Sequence, residues 1–195
     1  MRQQILQWIP FVWLGLGIFW FLSRLSMGLD RNPAVRRQSG LSRLLQLLVL
    51  FSATLLLFSE WPRRGVVNSV IVPPLPEIAL GGFALTILGV AFAIVARAYL
   101  GRNWSGRPTI KSNHELIYKG PYSLVRHPIY TGIFVAATGT ALAFGELRNL
   151  LALPFLLIGF WLKLKEEERL LVEAFGQQYA EYRLKVKSAF IPFLL

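Results

Sequence analysis

The 195-residue chain contains no cysteine and only two histidines. Without thiols it can form no disulfide bond, and it has no catalytic cysteine, CxxC redox motif or thiolate metal ligand. The 10 acidic residues and two histidines supply few other metal ligands, so we predict no metal site. The length suits one compact domain rather than two.

Charged residues are scarce as well. They make up 16% of the chain, whereas a soluble globular domain carries about 25%. Hydrophobic residues account for 54% and aromatic residues for 13%, and the charges cluster between long apolar runs. This apolar content excludes a disordered chain. The composition therefore predicts an integral membrane protein.

Five apolar segments run along the chain, and we predict that each forms a transmembrane helix in an all-α fold. A helix rising about 1.5 Å per residue needs roughly 20 residues to cross a hydrocarbon core of about 30 Å. The first and third segments reach that length, and the others would extend into their flanks. No small-residue cleavage site follows the first, so we expect a retained helix rather than a signal peptide. The segments are residues 5–22, 44–58, 78–100, 128–144 and 150–162.

The distribution of lysine and arginine predicts the orientation. Five spans leave only Arg2, Arg63, Arg64 and Arg148 on one side of the membrane and the other 17 basic residues on the opposite side. The positive-inside rule then puts the N-terminus outside and the C-terminus in the cytoplasm. We attribute the net charge of +11 to this topology and to contacts with the lipid bilayer, and we predict no nucleic-acid partner.

A polar loop, residues 97–127, separates the third and fourth segments. It holds both histidines, His114 and His127, six basic residues and the turn Gly120-Pro-Tyr122. So many donors and aromatic rings on the predicted cytoplasmic side indicate a ligand site. The alternative is that its cations only contact lipid phosphates and that His127 and Pro128 simply start a helix, since proline suits a first helical turn.

Three consecutive glutamates, residues 166–168, follow the fifth segment. Apolar residues then recur at helical spacing as far as Tyr182, which predicts an amphipathic C-terminal helix. Because neighbouring helical residues point about 100° apart, at least one glutamate must face the apolar side. A carboxylate there is costly unless a cation or a hydrogen-bond donor meets it. We expect an inward glutamate to meet a ligand; the simpler alternative is an ion pair with Lys163.

Glycine recurs in the fourth segment, at Gly132, Gly139 and Gly145. Glycines on one helix face allow neighbouring helices to approach closely. We interpret them as packing positions rather than as ligand contacts.

The polar motifs together resemble the isoprenylcysteine carboxyl methyltransferase family, whose wider relatives include phospholipid N-methyltransferases. The resemblance covers roughly residues 97–192, about half of the chain. The motifs, in order, are His114-Glu-Leu-Ile, Gly120-Pro-Tyr122, Arg126-His127-Pro128-Ile-Tyr130-Thr-Gly132 and Glu167-Glu168-x-x-Leu171-x-x-x-Phe175-Gly176-x-x-Tyr179-x-x-Tyr182.

The resemblance implies an S-adenosyl-L-methionine-dependent enzyme without a Rossmann fold, and no GxGxxG motif follows a strand here. It implies O-methylation of the carboxylate of a prenylcysteine-like lipophilic acceptor. Arg126 and Glu167 carry over as catalytic residues, and Lys163 and Arg126 as substrate-binding residues. The cofactor-binding residues that carry over are His114, Glu115, Leu116, Ile117, Tyr122, His127, Pro128, Ile129, Tyr130, Glu167 and Glu168.

The domain prediction follows from the same resemblance. We predict one membrane domain over residues 1–195, with an active site on the cytoplasmic side. Residues 1–76 hold two spans and a Pro-rich outer loop. Residues 77–195 form the catalytic core, with a cofactor loop (97–127), spans four and five, and a C-terminal helix (163–187).

Other functions stay open at this point. A carboxylate acceptor is ionised at neutral pH and needs no base. An amine acceptor, as in phospholipid N-methylation, must lose a proton, and Glu167 or Glu168 would be the base. An NADPH-dependent membrane reductase would be longer, with more spans. A non-enzymatic transporter would carry charges in the middle of a span, whereas Arg97 lies near an end.

Overall fold

The structure is a computed structural model, and it describes residues 1–26, 34–37, 40–59, 65–101, 104, 109–111 and 115–190. Each apolar segment lies within helical structure, the first of them in two successive helices. The elements in chain order are α1 (Arg2–Leu6), α2 (Ile9–Ser26), β1 (Ala34–Arg37), α3 (Gly40–Phe58), α4 (Pro76–Leu100), β2 (Thr109–Lys111), α5 (Pro128–Phe144), α6 (Leu147–Phe175) and α7 (Gln177–Lys185).

Four stretches in the described part of the chain are long and apolar enough to cross a membrane. They are Arg2–Leu25, α3, α4 and α6. Helix α5 is apolar but has only 17 residues, which extend roughly 26 Å at 1.5 Å per residue. The prediction of an all-α membrane protein is confirmed, with one small addition, because β1 and β2 pair as an antiparallel ribbon. The orientation of the termini stays a prediction.

The end of α6 differs from the helix predicted at residues 163–187. The fifth apolar segment continues without interruption through the three glutamates to Phe175, because leucine, lysine and glutamate all favour helix. The break comes at Gly176, whose φ of 50° is a conformation that glycine adopts without a steric penalty. Helix α7 follows as a separate element of nine residues.

Helices α4 and α5 pack closely through glycine. A Cβ atom on Gly82 would lie 2.5 Å from the carbonyl oxygen of Gly139, and one on Gly132 would lie 2.6 Å from the carbonyl oxygen of Gly89. Real Cβ atoms do not approach backbone oxygens so closely, so the two helices can touch only where side chains are missing. The packing interpretation is confirmed for Gly132 and Gly139. Gly145 instead ends α5 with a φ of 71°.

Hydroxyl groups reinforce the same contact. The Thr86 hydroxyl lies 2.9 Å from the carbonyl oxygen of Gly82 in its own helix and 3.2 Å from the Thr140 hydroxyl of α5. The indole N–H of Trp13 in α2 donates to the Thr140 hydroxyl at 3.0 Å. These bonds satisfy buried polar groups between apolar helices and join three helices at one place.

Several polar segments meet at one end of the helices. Strand β1 follows α2, and strand β2 follows α4. The two strands pair, with Ala34 opposite Lys111. Helix α6 contacts β2, and α7 folds back so that the Tyr182 hydroxyl donates to the carbonyl oxygen of Tyr122 at 2.6 Å. The start of α5 and the glutamates of α6 therefore lie at the same end as the polar loop.

Neighbouring glycines of α4 offer a test of this packing. Gly82→Ala should lower the free energy of unfolding by about 1–3 kcal/mol, because its methyl group must push α5 away. Gly81 is the matched control, since nothing lies within 4 Å of its Cβ position. Gly81→Ala should leave stability unchanged or raise it slightly, because alanine favours helix. The measurement is thermal unfolding of both variants in detergent; equal stability of the two would contradict close packing at Gly82.

Candidate active site

The site begins where the polar loop enters α5. His127 precedes the helix and Pro128 is its first residue, a position where the missing N–H of proline costs nothing. The backbone N–H groups of Arg126 and His127 donate to the carbonyl oxygens of Ser188 (3.0 Å) and Ala189 (2.8 Å). The chain after α7 therefore fixes the backbone at the start of α5.

Arg126 connects this start to α6. Its Nε donates to Glu168 Oε1 at 2.7 Å, and its Nη1 donates to the carbonyl oxygens of Val186 and Lys187, each at 2.7 Å. The Arg126 side chain is 8% exposed and that of Glu168 is 18% exposed. Removing one partner of an ion pair with so little exposure costs more than breaking a surface pair, because the other charge is left buried and unpaired. The expected contact of Arg126 with an acceptor carboxylate stays a prediction.

His127 lies between two carboxylates. Its Nδ1 is 3.5 Å from Glu167 Oε2 and its Nε2 is 3.4 Å from Glu168 Oε1, and its side chain is 6% exposed. Burial lowers the pKa of the His127 imidazole, but the two carboxylates outweigh burial and raise that pKa above its usual value. The imidazole thus favours its charged form, in which both nitrogens donate.

Glu167 also contacts an aromatic residue of α5. The Tyr130 hydroxyl donates to Glu167 Oε1 at 2.6 Å, and Lys163 Nζ is 4.0 Å from the same oxygen. The ammonium of Lys163 also lies 5.1 Å from the centre of the Tyr130 ring. The Tyr130 ring also stacks on Phe160, with ring centres 5.2 Å apart. The ion pair of Lys163 with Glu167 is therefore one part of a larger group of contacts.

Only two of the three glutamates face this group. Glu166 binds Arg169, 2.7 Å away, and that exposed arginine also binds Glu173 on the outer face of α6. Glu167 and Glu168 both turn toward the start of α5, which the sequence left undecided. One further cation reaches them from α7, where Arg183 Nε lies 3.7 Å from Glu168 Oε2.

The remaining expected residues lie in two groups. Tyr122 and Ile129 are buried in one cluster, with Ile117 packed against it, and burial raises the pKa of the Tyr122 phenol well above its usual value. Leu116 packs instead against the tyrosines of α7. Pro128 is buried, whereas Glu115 is exposed. His114 lies outside the described residues.

The structure adds residues that the sequence did not single out as site residues. Arg97 of α4 is fully buried, and its guanidinium lies 4.3 Å from the centre of the Trp104 ring. Phe160 supports Tyr130 from α6. The sequence signals were weak, since Arg97 stood out only as a charge at the end of an apolar run and Phe160 only as one more apolar residue.

Comparisons with known proteins identify relatives of this chain. The family model for phospholipid methyltransferases matches residues 78–178. A probable protein-S-isoprenylcysteine O-methyltransferase from Oryza sativa subsp. indica is 31% identical over 133 residues, which cover 65% of this chain and 69% of the rice protein. A cobalt-zinc-cadmium resistance protein, CzcN, from Cupriavidus metallidurans is 34% identical over 170 residues, which cover 85% of this chain and 68% of that protein.

A solved structure with a similar fold adds to these matches. It is that of the eukaryotic intramembrane Ras methyltransferase, isoprenylcysteine carboxyl methyltransferase, with a TM-score of 0.51 and 24% identity. The match covers 82% of this chain and 55% of the solved chain, so the chain spans about half the length of that protein.

Fold and matches together define a membrane methyltransferase. The chain belongs to the phospholipid methyltransferase family, and within that family it is an enzyme similar to the protein-S-isoprenylcysteine O-methyltransferases.

Two glutamates of α6 provide a test of the site's electrostatics. Glu168→Gln should lower the free energy of unfolding by about 1–3 kcal/mol, because the buried guanidinium of Arg126 loses its anionic partner. Glu166→Gln removes a pair with the exposed Arg169, which keeps Glu173 as a second partner, and should cost at most about 1 kcal/mol. Both values come from thermal unfolding in detergent. A loss from Glu166→Gln as large as that from Glu168→Gln would refute a special role for the inner pair.

Proposed function

We propose that this protein is an S-adenosyl-L-methionine-dependent methyltransferase that O-methylates the carboxylate of a prenylcysteine-like lipophilic acceptor. One observation carries the proposal. Glu167 and Glu168 lie side by side on α6, against His127 and Tyr130 at the start of α5. The two motifs that resemble the methyltransferase family, about 40 residues apart in the chain, thus form one site at the ends of apolar helices.

The chemistry of the site suits this cofactor. Carboxylates accept hydrogen bonds from an ammonium group or from ribose hydroxyls, and aromatic faces attract a cation such as a sulfonium. Glu167 and Glu168 supply the carboxylates, and Tyr130, whose ring centre is 5.9 Å from that of His127, supplies an aromatic ring. Tyr122, Leu116, Ile117, Pro128 and Ile129 would line the apolar part, with Glu115 at its entrance, and His114 is proposed as a cofactor contact from the motif alone.

The proposed reaction needs alignment more than acid–base catalysis. When bound, the cofactor supplies a methyl group on a sulfonium, which loses its positive charge as the methyl leaves. An acceptor carboxylate is ionised at neutral pH and attacks without a general base. The protein's part is to align donor and acceptor, exclude water and hold both reactants by their charges. Arg126 and Glu167 are the proposed catalytic residues in that sense.

Lys163 is the proposed contact for the acceptor carboxylate, together with Arg126. The Lys163 ammonium lies beside Tyr130 and 4.0 Å from Glu167, so a carboxylate bound there would adjoin the proposed cofactor. The lipophilic tail would extend from this point among the apolar helices, where prenyl groups are stabilised by burial. Because the enzyme must meet an aqueous cofactor and a membrane-borne acceptor, a site at the ends of helices suits both.

The proposed topology follows from the distribution of charge. The N-terminus would lie outside and the active site on the cytoplasmic side, where most of the lysine and arginine residues accumulate. Residues 1–195 would act as one domain, in which residues 1–76 support the catalytic core of residues 77–195.

N-methylation of a phospholipid amine is the second candidate, because the matching family model describes phospholipid methyltransferases. An amine must lose its proton, and Glu167 or Glu168 would be the base. The name of the bacterial relative, which refers to metal resistance, states no methyl acceptor. Within the described ranges, no group of three or more histidine, aspartate or glutamate side chains has the geometry to hold a metal ion.

Methyl transfer from isotopically labelled cofactor tests the proposal and its alternative together. Purified protein should label a farnesylated cysteine analogue as a base-labile ester and leave phosphatidylethanolamine unlabelled. Base-stable label in the phospholipid would favour the second candidate. No label in either acceptor, with protein that remains folded, would contradict both.

Substitutions of two lysines of α6, measured in the same assay, test the acceptor site. Lys163→Met should raise the KM for the prenylcysteine analogue about tenfold or more, because a charge-assisted contact is lost, with little change in the KM for the cofactor. Lys165→Met is the matched control, since Lys165 is exposed and lies 3.7 Å from the ring centre of Trp161 on the outer face. Equal effects of the two changes would exclude Lys163 from the acceptor site.

A further inference from the structure

Residues 186–190 follow α7 and lie across the start of α5; we call them the C-terminal strap. The backbone carbonyl oxygen of every strap residue accepts a hydrogen bond from a residue just before α5 or in its first turn. Five donated bonds come from only three residues, Arg126, His127 and Thr131. Arg126 Nη1 donates to Val186 and Lys187, Arg126 N donates to Ser188, His127 N donates to Ala189, and Thr131 Oγ1 donates to Phe190.

An aromatic contact holds the end of the strap. The Phe190 side chain is 3% exposed, and its ring centre lies 5.5 Å from that of Phe134 and 5.8 Å from that of Phe160. Phe160 in turn stacks on Tyr130, whose hydroxyl binds Glu167. The strap therefore reaches Glu167 through a chain of packed rings.

Polar contacts link the strap to Glu168. Arg126 binds the strap through Nη1 and binds Glu168 through Nε, so one guanidinium joins both. The guanidinium is planar and rigid. A shift of the strap carbonyl oxygens that bind Nη1 therefore also shifts Nε, which donates to Glu168. His127 is likewise held by the strap through its backbone and touches both carboxylates through its ring.

We propose that the C-terminal strap positions the carboxylate pair for the cofactor, and that strap attachment and cofactor binding are thermodynamically coupled. This inference rests on the proposed function. A site works only when its binding groups are held by supporting contacts, and here those contacts come from the strap. Coupling is reciprocal, so cofactor binding must hold the strap more firmly by the same factor that the strap improves cofactor affinity. Thr131 and Phe190 are positioning residues in this scheme.

Two threonines of α5 separate this role from general stability. Thr131 and Thr138 both bind the carbonyl oxygen four residues earlier in their helix. Among the described contacts, only that of Thr131 extends to the strap. Thr131→Val should weaken the binding of S-adenosylhomocysteine about fivefold, as expected for the loss of one hydrogen bond, and should raise the KM for the methyl donor. Thr138→Val should change neither.

A thiol probe reports strap attachment directly, because the natural chain has no cysteine. Ala189→Cys places one partly buried thiol in the strap, and Ala180→Cys places a control thiol on the exposed face of α7. Saturating S-adenosylhomocysteine should slow maleimide labelling of Ala189→Cys severalfold, and adding Thr131→Val should speed it by about fivefold. Labelling of Ala180→Cys should respond to neither change.

Phe190 provides a second series if Thr131→Val unfolds the protein. Phe190→Ala should weaken S-adenosylhomocysteine binding, and Phe190→Leu, which restores apolar volume, should recover part of it. If the parent protein binds S-adenosylhomocysteine but Thr131→Val binds it equally well, or if the ligand leaves the labelling of Ala189→Cys unchanged, the strap proposal is wrong and the proposed function stands. If the parent protein does not bind it, both fall together.

Discussion

Two carboxylates on consecutive residues of α6 lie where an uncompensated negative charge would be costly. Glu167 and Glu168 are 20% and 18% exposed, and they directly continue an apolar helix. The side chains that meet their charge include Arg126, His127, Tyr130, Lys163 and Arg183. The start of α5, the end of α6 and the chain after α7 are therefore held together by the need to satisfy these two groups.

This constraint explains why the site lies at the ends of the helices. The packing of α4 on α5 relies on missing side chains, and the start of α5 presents His127 and Tyr130 toward α6. A break at Gly176 returns α7 toward the polar loop, where Tyr182 donates to the backbone of Tyr122. The resulting arrangement holds charges beside apolar helices, which is the environment that a polar cofactor and a lipophilic acceptor would both require.

Much of this organisation could be predicted from the sequence. The length and composition of the apolar segments predicted the apolar helices, and Gly132 and Gly139 indicated the close contact between two of them. The sequence could not tell which glutamates face inward, because consecutive residues differ by 100° and the rotation of α6 depends on its partners. The sequence predicts one C-terminal helix over residues 163–187 and gives no sign of the break at Gly176 between α6 and α7.

Contacts between side chains and distant backbone left no sequence signal at all. The bonds from Arg126 to the carbonyl oxygens of residues 186 and 187 join positions 60 and 61 residues apart. Any residue presents a carbonyl oxygen, so composition and spacing do not reveal which ones are used. The short ribbon of β1 and β2 was also missed, since strands of four and three residues are too short to show an alternating pattern.

The most direct test of the account is the affinity of S-adenosylhomocysteine for the purified protein and for Glu167→Gln, measured by calorimetry beside NADPH. We expect saturable binding of S-adenosylhomocysteine and none of NADPH. The Glu167→Gln protein should bind at least tenfold more weakly, as for a lost charge-assisted contact. Equal affinity of the two proteins, or binding of NADPH in place of S-adenosylhomocysteine, would contradict the assignment of the carboxylate pair to a methyl-donor site.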